Sequence, residues 1–186
     1  MHIKLEFKVE RRLGDPMMRI MIDDTTSSFE GASVTEIEFD TPLTVGDHEL
    51  RITHYGKTNQ DHVFDDHGNV IIDKHFEISK IWFDHVELAE ELWDGTFYPV
   101  YNKDYIQDLE SQGKNVPYSI RPNLYLGHNG TWQLQFQYPV IDWLINQRQN
   151  RLFKVQDPDF LSHEKELQEV KHWFSKVSEL DWNKEL

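Results

Sequence analysis

The sequence predicts a mainly β protein: an antiparallel β-sandwich, jelly-roll-like, closed by one C-terminal amphipathic α-helix. Three observations predict it. Alanine occurs only at positions 32 and 89, while Val, Ile, Phe, Tyr and Trp are plentiful, a balance that suits pleated, half-buried surfaces better than helices. Several short segments alternate apolar and polar residues with a period of 2, as strands with one wet face do. Gly, Pro, Asn and Asp punctuate these segments at the short, regular spacing of a sandwich.

Ile3, Leu5, Phe7 and Val9 alternate with His2, Lys4, Glu6 and Lys8 and make the opening strand. Gly14-Asp15-Pro16 ends it, and Met18 to Ile22 reads as a second strand stopped by Asp23-Asp24. Val34 to Phe39 alternates again, and Pro42 with Gly46-Asp47 brackets a loop before a strand from His48 to His54. Val63-Phe64 and Val70-Ile71-Ile72 flank Asp65-Asp66-His67-Gly68-Asn69, whose glycine supplies the positive φ of a tight β-hairpin. Phe76, Ile78, Ile81, Phe83, Val86 and Leu88 form a long strand whose period slips at 78–81 and at 83–86, and a bulge or bend at each slip keeps these residues inward. The chain from Leu92 to Lys114 is irregular and aromatic. Leu124 to Thr131 then predicts a second hairpin with an Asn129-Gly130 turn, leading into Trp132, Leu134, Phe136 and Tyr138 in alternation. Asp157-Pro158 opens a helix over about 158–178, with Leu167, Val170, Phe174 and Val177 on one face. The domain organisation expected is a sandwich over 1–150 and a helical extension over 151–186 that docks on the sandwich or on a neighbouring subunit, which makes a homo-oligomer one expected assembly.

Composition excludes several functions. With 19 Lys+Arg against 33 Asp+Glu the formal charge is −14, which repels phosphate backbones, and no basic stripe interleaves with aromatics, so no nucleic-acid partner is expected. The absence of Cys removes thiol catalysis and Cys-based metal sites. No apolar run approaches the ~20 residues of a membrane helix, and the N-terminus alternates instead of forming a signal-peptide core, so neither a membrane nor a targeting segment is expected. No Gly-x-Ser-x-Gly elbow, phosphate-cradling glycine loop or distinct carboxylate pair appears, so the chain reads as a non-enzyme.

Two resources remain. Asp61, Asp65, Asp66 and Asp73 bracket the first hairpin, and converging carboxylates invite a hard divalent cation such as calcium, with Asn59 and Asn69 able to add carbonyl oxygens. An ordinary polar turn accounts for the same residues, with the side chains diverging into solvent. The ten His contain no His-x-x-x-His pair and read as surface residues. Six Trp and seven Tyr exceed what a small core needs; rings such as Tyr55, Trp82, Trp93, Tyr98, Tyr101 and Trp132 either pack inside or offer flat faces to sugar C–H groups and partner proteins.

Gly46 to Ile52, Asn59-Gln60-Asp61, and the stretch from Asp73 through Ile81-Trp82-Phe83-Asp84-His85-Val86-Glu87-Leu88 together resemble the closing strands of the calcium-dependent, xylan-binding type of carbohydrate-binding module, over about residues 1–90. The resemblance implies that Asp61 and Asp73 hold Ca²⁺, with Asp65 and Asp66 as auxiliaries; Tyr55, Asn59 and Trp82 are the candidate carbohydrate contacts. The hairpin 62–72 is longer than the corresponding loop of that family, and His75 stands where an Asp is expected. The pattern is also similar to small uncharacterised proteins of tailed bacteriophages. The expected function is therefore a noncatalytic carbohydrate-binding module of a bacteriophage, or alternatively a virion structural protein (tail, fibre or capsid-associated) acting through protein contacts. The partners are then a glycan or other virion proteins, and the location the virion or the host cytoplasm.

Overall fold

Alternating burial builds the first strand. In a computed structural model that describes residues 1–23 and 29–154, β1 (His2–Val9) sinks Ile3, Leu5 and Phe7 and leaves the residues between them at the surface. The same rule forms β2 (Met17–Ile22), β3 (Phe29–Ala32), β4 (Glu36–Asp40) and β5 (Gly46–Tyr55). A short hairpin follows, β6 (His62–Phe64) with β7 (Val70–Asp73), and then β8 (Phe76–Phe83), β9 (Val86–Glu87), a 3₁₀ turn at Glu90–Asp94 and β10 (Thr96–Val100). Helix α1 (Lys103–Ser111), β11 (Tyr125–Leu126), β12 (Asn129–Tyr138) and helix α2 (Val140–Lys154) complete the described elements.

The chain is mainly β, as its alternation predicts. One antiparallel sheet has the order β11-β8-β1-β4, with β9 also beside β8; the other has the order β10-β12-β5-β2-β3. Their inner faces share one core, to which β1 and β8 give Ile3, Leu5, Ile78 and Phe83, and β2, β5 and β12 give Ile20, Leu50, Ile52, Trp132 and Phe136. Phe83 and Phe136 meet across it with ring centroids 4.6 Å apart, so the two sheets form a sandwich. The β6–β7 hairpin pairs with neither sheet. By its internal contacts the chain divides into two compact units, Met1–Leu144 and Ile145–Leu186, and the sandwich is the first. Among the described residues no helix is long and apolar enough to cross a membrane.

Several elements differ from the sequence-based expectation. The slip at 78–81 is a bulge as expected, since Glu6 pairs with Lys80 and Phe7 with Ile78, leaving Ser79 unopposed. The slip at 83–86 is instead a reversal: Asp84 and His85 take positive φ (46° and 67°) and turn β8 into β9. Residues 124–131 do not form a hairpin, because β11 pairs with β8 of one sheet while β12 pairs with β10 and β5 of the other. Asn129-Gly130 lies within β12. Gly130 is needed there because a Cβ would stand 2.4 Å from the Tyr98 carbonyl oxygen on the neighbouring strand. The aromatic stretch holds β10 and α1, and α2 follows β12 directly; its Trp143 packs on Phe136 at 6.3 Å. The helix expected over 158–178 lies outside the described residues.

Candidate functional site

At the hairpin end of the sandwich, two switches of the chain between sheets bring polar and aromatic side chains to one place. The loop after β5 presents Lys57, whose backbone is clamped by Asn129: Lys57 N donates to Asn129 Oδ1 at 2.9 Å, and Asn129 Nδ2 donates to the Lys57 carbonyl at 2.8 Å. The Lys57 ammonium, with only 6% of its side chain exposed, donates to Asp73 and to the Gly127 carbonyl. Asp73 also accepts from the Tyr125 hydroxyl at 2.7 Å and faces His62 Nδ1 at 3.4 Å. Burial alone would raise the Asp73 pKa, but Lys57, Tyr125 and His62 outweigh it and hold it below the ordinary carboxylate value. The Tyr125 hydroxyl is raised, by its own burial first and by Asp73 second.

Rings surround this polar floor. Tyr125 packs on His75 with centroids 4.5 Å apart. Tyr105 stacks on Tyr101 at 5.3 Å, and both rings meet His128, at 5.1 and 4.9 Å. Burial and the nearby Lys57 lower the His128 pKa, which keeps that ring neutral. Tyr105 reaches the site because Asn102 caps α1, accepting from Tyr105 N at 2.7 Å. The cap is tied to the loop after β5 through Asn102 Nδ2 to Asn59 Oδ1 at 2.6 Å, and Asn59 Nδ2 donates to Asp104 at 3.0 Å. With Phe64, Val70 and Ile71 of the hairpin and the Glu10–Arg12 pair, the Lys57–Asp73 floor and the rings of Tyr105, Tyr125 and His128 line a cleft of about 500 Å³, a volume typical of small-ligand sites.

The sequence-predicted residues lie in and around this cleft unevenly. Asp61 and Asp73 both stand at the base of the hairpin, and each is engaged by a lysine. Lys74 Nζ lies 2.5 Å from Asp61, which also accepts from Thr58 N and Oγ1 at 2.7 and 2.9 Å. Burial would raise the Asp61 pKa, but Lys74 and Thr58 bring it below the ordinary value. Asp65 sits at the far tip and accepts from the backbone of His67 and Asn69, each at 2.8 Å, while Asp66 is exposed. Among the described residues no group of three or more His, Cys, Asp or Glu is placed to hold a metal ion. Tyr55 is on the outward face of the β5 sheet, its ring 5.6 Å from the Arg19 guanidinium. Trp82 is on the outward face of the other sheet, with the Lys4 and Lys80 ammoniums each 5.4 Å from its ring. Tyr55, Asn59 and Trp82 therefore do not converge. Tyr105, Tyr125, His128 and Lys57 were not singled out by sequence reasoning; the nearest signal was the aromatic density of the irregular stretch.

No family model and no curated protein matches the sequence. Among solved structures the chain is similar to that of "vCBM60 in complex with galactobiose", at 12% identity and a TM-score of 0.43, over 72% of this chain and 97% of that one.

Proposed function

We propose that this protein is a noncatalytic carbohydrate-binding β-sandwich module and that the ring-lined cleft is its binding site. The observation that carries the reading is the cleft itself, in which exposed faces of Tyr105 and Tyr125 flank a carboxylate oriented by Lys57, Tyr125 and His62. Flat rings take the C–H faces of a sugar, and an oriented carboxylate accepts from its hydroxyls. The hydroxyl that Asp73 holds, that of Tyr125, has its pKa raised by burial and by that carboxylate and so stays protonated, which suits donation to a ligand more than attack on it.

A glycan array tests this. The expected result is retention of a defined glycan set, weakened about tenfold, or ~1.4 kcal/mol, by Tyr105→Ala with an unchanged melting temperature. An array without signal overturns the reading, and so does hydrolysis of a polysaccharide by the pure protein.

The second reading is a bacteriophage virion protein acting through protein contacts; Ile141, 53% exposed on α2, favours the protein contacts. A stable multimer in light scattering, dispersed by Ile141→Glu and accompanied by a silent array, would select it.

A further inference from the structure

We infer that the ligand of this cleft carries an uncharged, methyl-bearing substituent of the acetyl type, seated against the β6–β7 hairpin. The inference rests on the carbohydrate-binding reading and names its ligand class. Phe64, Val70 and Ile71 line the cleft from the hairpin and stay 54%, 52% and 55% exposed. Phe64 and Val70 are cross-strand partners, and Ile71, at the register shift beside them, lines the same cleft, so the apolar side chains are grouped and not scattered singly, the arrangement that marks an interaction site. A pyranose ring seats on flat faces, and the tyrosines of the cleft supply those. Val70 and Ile71, beside the Phe64 ring, are branched and offer no flat face; what they take up is a methyl group.

Charge narrows the substituent further. Arg12 is held by Glu10 through two contacts of 3.0 Å and one of 2.6 Å, and the Lys57 ammonium is committed to Asp73 and Gly127. Every cation lining the cleft thus has its counter-charge within the cleft, and the chain as a whole is at −14. A carboxylate or sulfate substituent would meet no spare positive charge, whereas an acetyl group needs none.

The test compares matched glycans on one array: chitotriose against cellotriose, N-acetylgalactosamine-terminated against galactose-terminated chains, and O-acetylated against deacetylated oligosaccharides. The acetylated member of a pair is expected to bind about four- to tenfold tighter, the worth of burying one methyl group. Val70→Ser and Ile71→Ser, at exposed positions, should bring the ratio of acetylated to unacetylated affinity to about one. Equal binding of both members, insensitive to these variants, overturns the inference and leaves the carbohydrate reading standing. Retention of neither member by the wild type overturns the carbohydrate reading itself. A multimer that Ile71→Ser disperses assigns these apolar side chains to a second copy of the chain and likewise overturns the inference.

Discussion

His48 and His54, both on β5 and both buried, are driven in opposite directions. His48 Nε2 donates to the Thr44 carbonyl at 2.8 Å and Nδ1 lies 2.9 Å from Asp23, a pair of partners that the doubly protonated ring satisfies best. Burial lowers its pKa, but Asp23 and Thr44 outweigh burial and raise it above the usual 6.5. A raised folded pKa contributes stability that is complete below about pH 6.5 and is lost as pH climbs through the folded value. The melting-temperature gap between wild type and His48→Gln should therefore narrow as pH rises from about 6 to about 9. His54, fully enclosed and bonded to the Leu126 carbonyl at 2.9 Å, is pushed down to about 4 by burial. Its contribution has the other sign: present above pH 6.5 and lost between 6.5 and 4, by about 3 kcal/mol. Denaturant titrations of the wild type across that window should show the loss, and His54→Gln should flatten it. None of this was legible in the sequence, where both residues fall at regular strand positions and nothing in their spacing names Asp23 or Leu126 as partners.

The hairpin was the best-read element, since Gly68 (φ 82°) between His67 and Asn69 fixes the reversal locally. Its chemistry was harder to read because the decisive partners, Lys57 of the preceding loop and Tyr125 of β11, are brought to it by the fold and by no local pattern. A calcium ion at Asp61 and Asp73 remains a proposal with a structural requirement: Lys74 and Lys57 must release the carboxylates they hold. Wild-type melting temperature should not move at millimolar Ca²⁺, whereas Lys57→Met combined with Lys74→Met leaves two unpaired carboxylates, and its melting temperature should rise with Ca²⁺. Heat and stabilisation in the wild type would show that the cation displaces the lysines. The crossing from β11 to β12 offers a second test. A Cβ on Gly127 would stand 2.2 Å from the Tyr125 ring, and that ring, 42% exposed, is free to yield. Gly127→Ala should thus swing Tyr125 off Asp73 and abolish glycan retention while changing the melting temperature little.

At the scale of the molecule, the sandwich was legible because alternation is written into each strand, and register follows wherever one face is buried. Which strands share a sheet was not legible: the Asn129-Gly130 pair has the residues of a hairpin turn, yet tertiary packing against β10 overrides the local preference. The site suffers the same limit, since its residues are gathered by the topology and not by a motif. The global charge nevertheless makes a prediction that no single strand does. At −14 the protein repels acidic polymers over about a Debye length, ~10 Å at 0.1 M salt, while the ion pairs inside the cleft cancel one another. The affinity for an uncharged oligosaccharide should then change less than about twofold between ~0.05 and ~0.5 M salt, because no counterion is released and no net charge is brought together. Calorimetry across that range measures it. A steep loss of affinity with salt would mean that Arg12 or Lys57 leaves its partner to meet an anionic ligand, and the ion-pair geometry of the cleft would then describe only its unbound form.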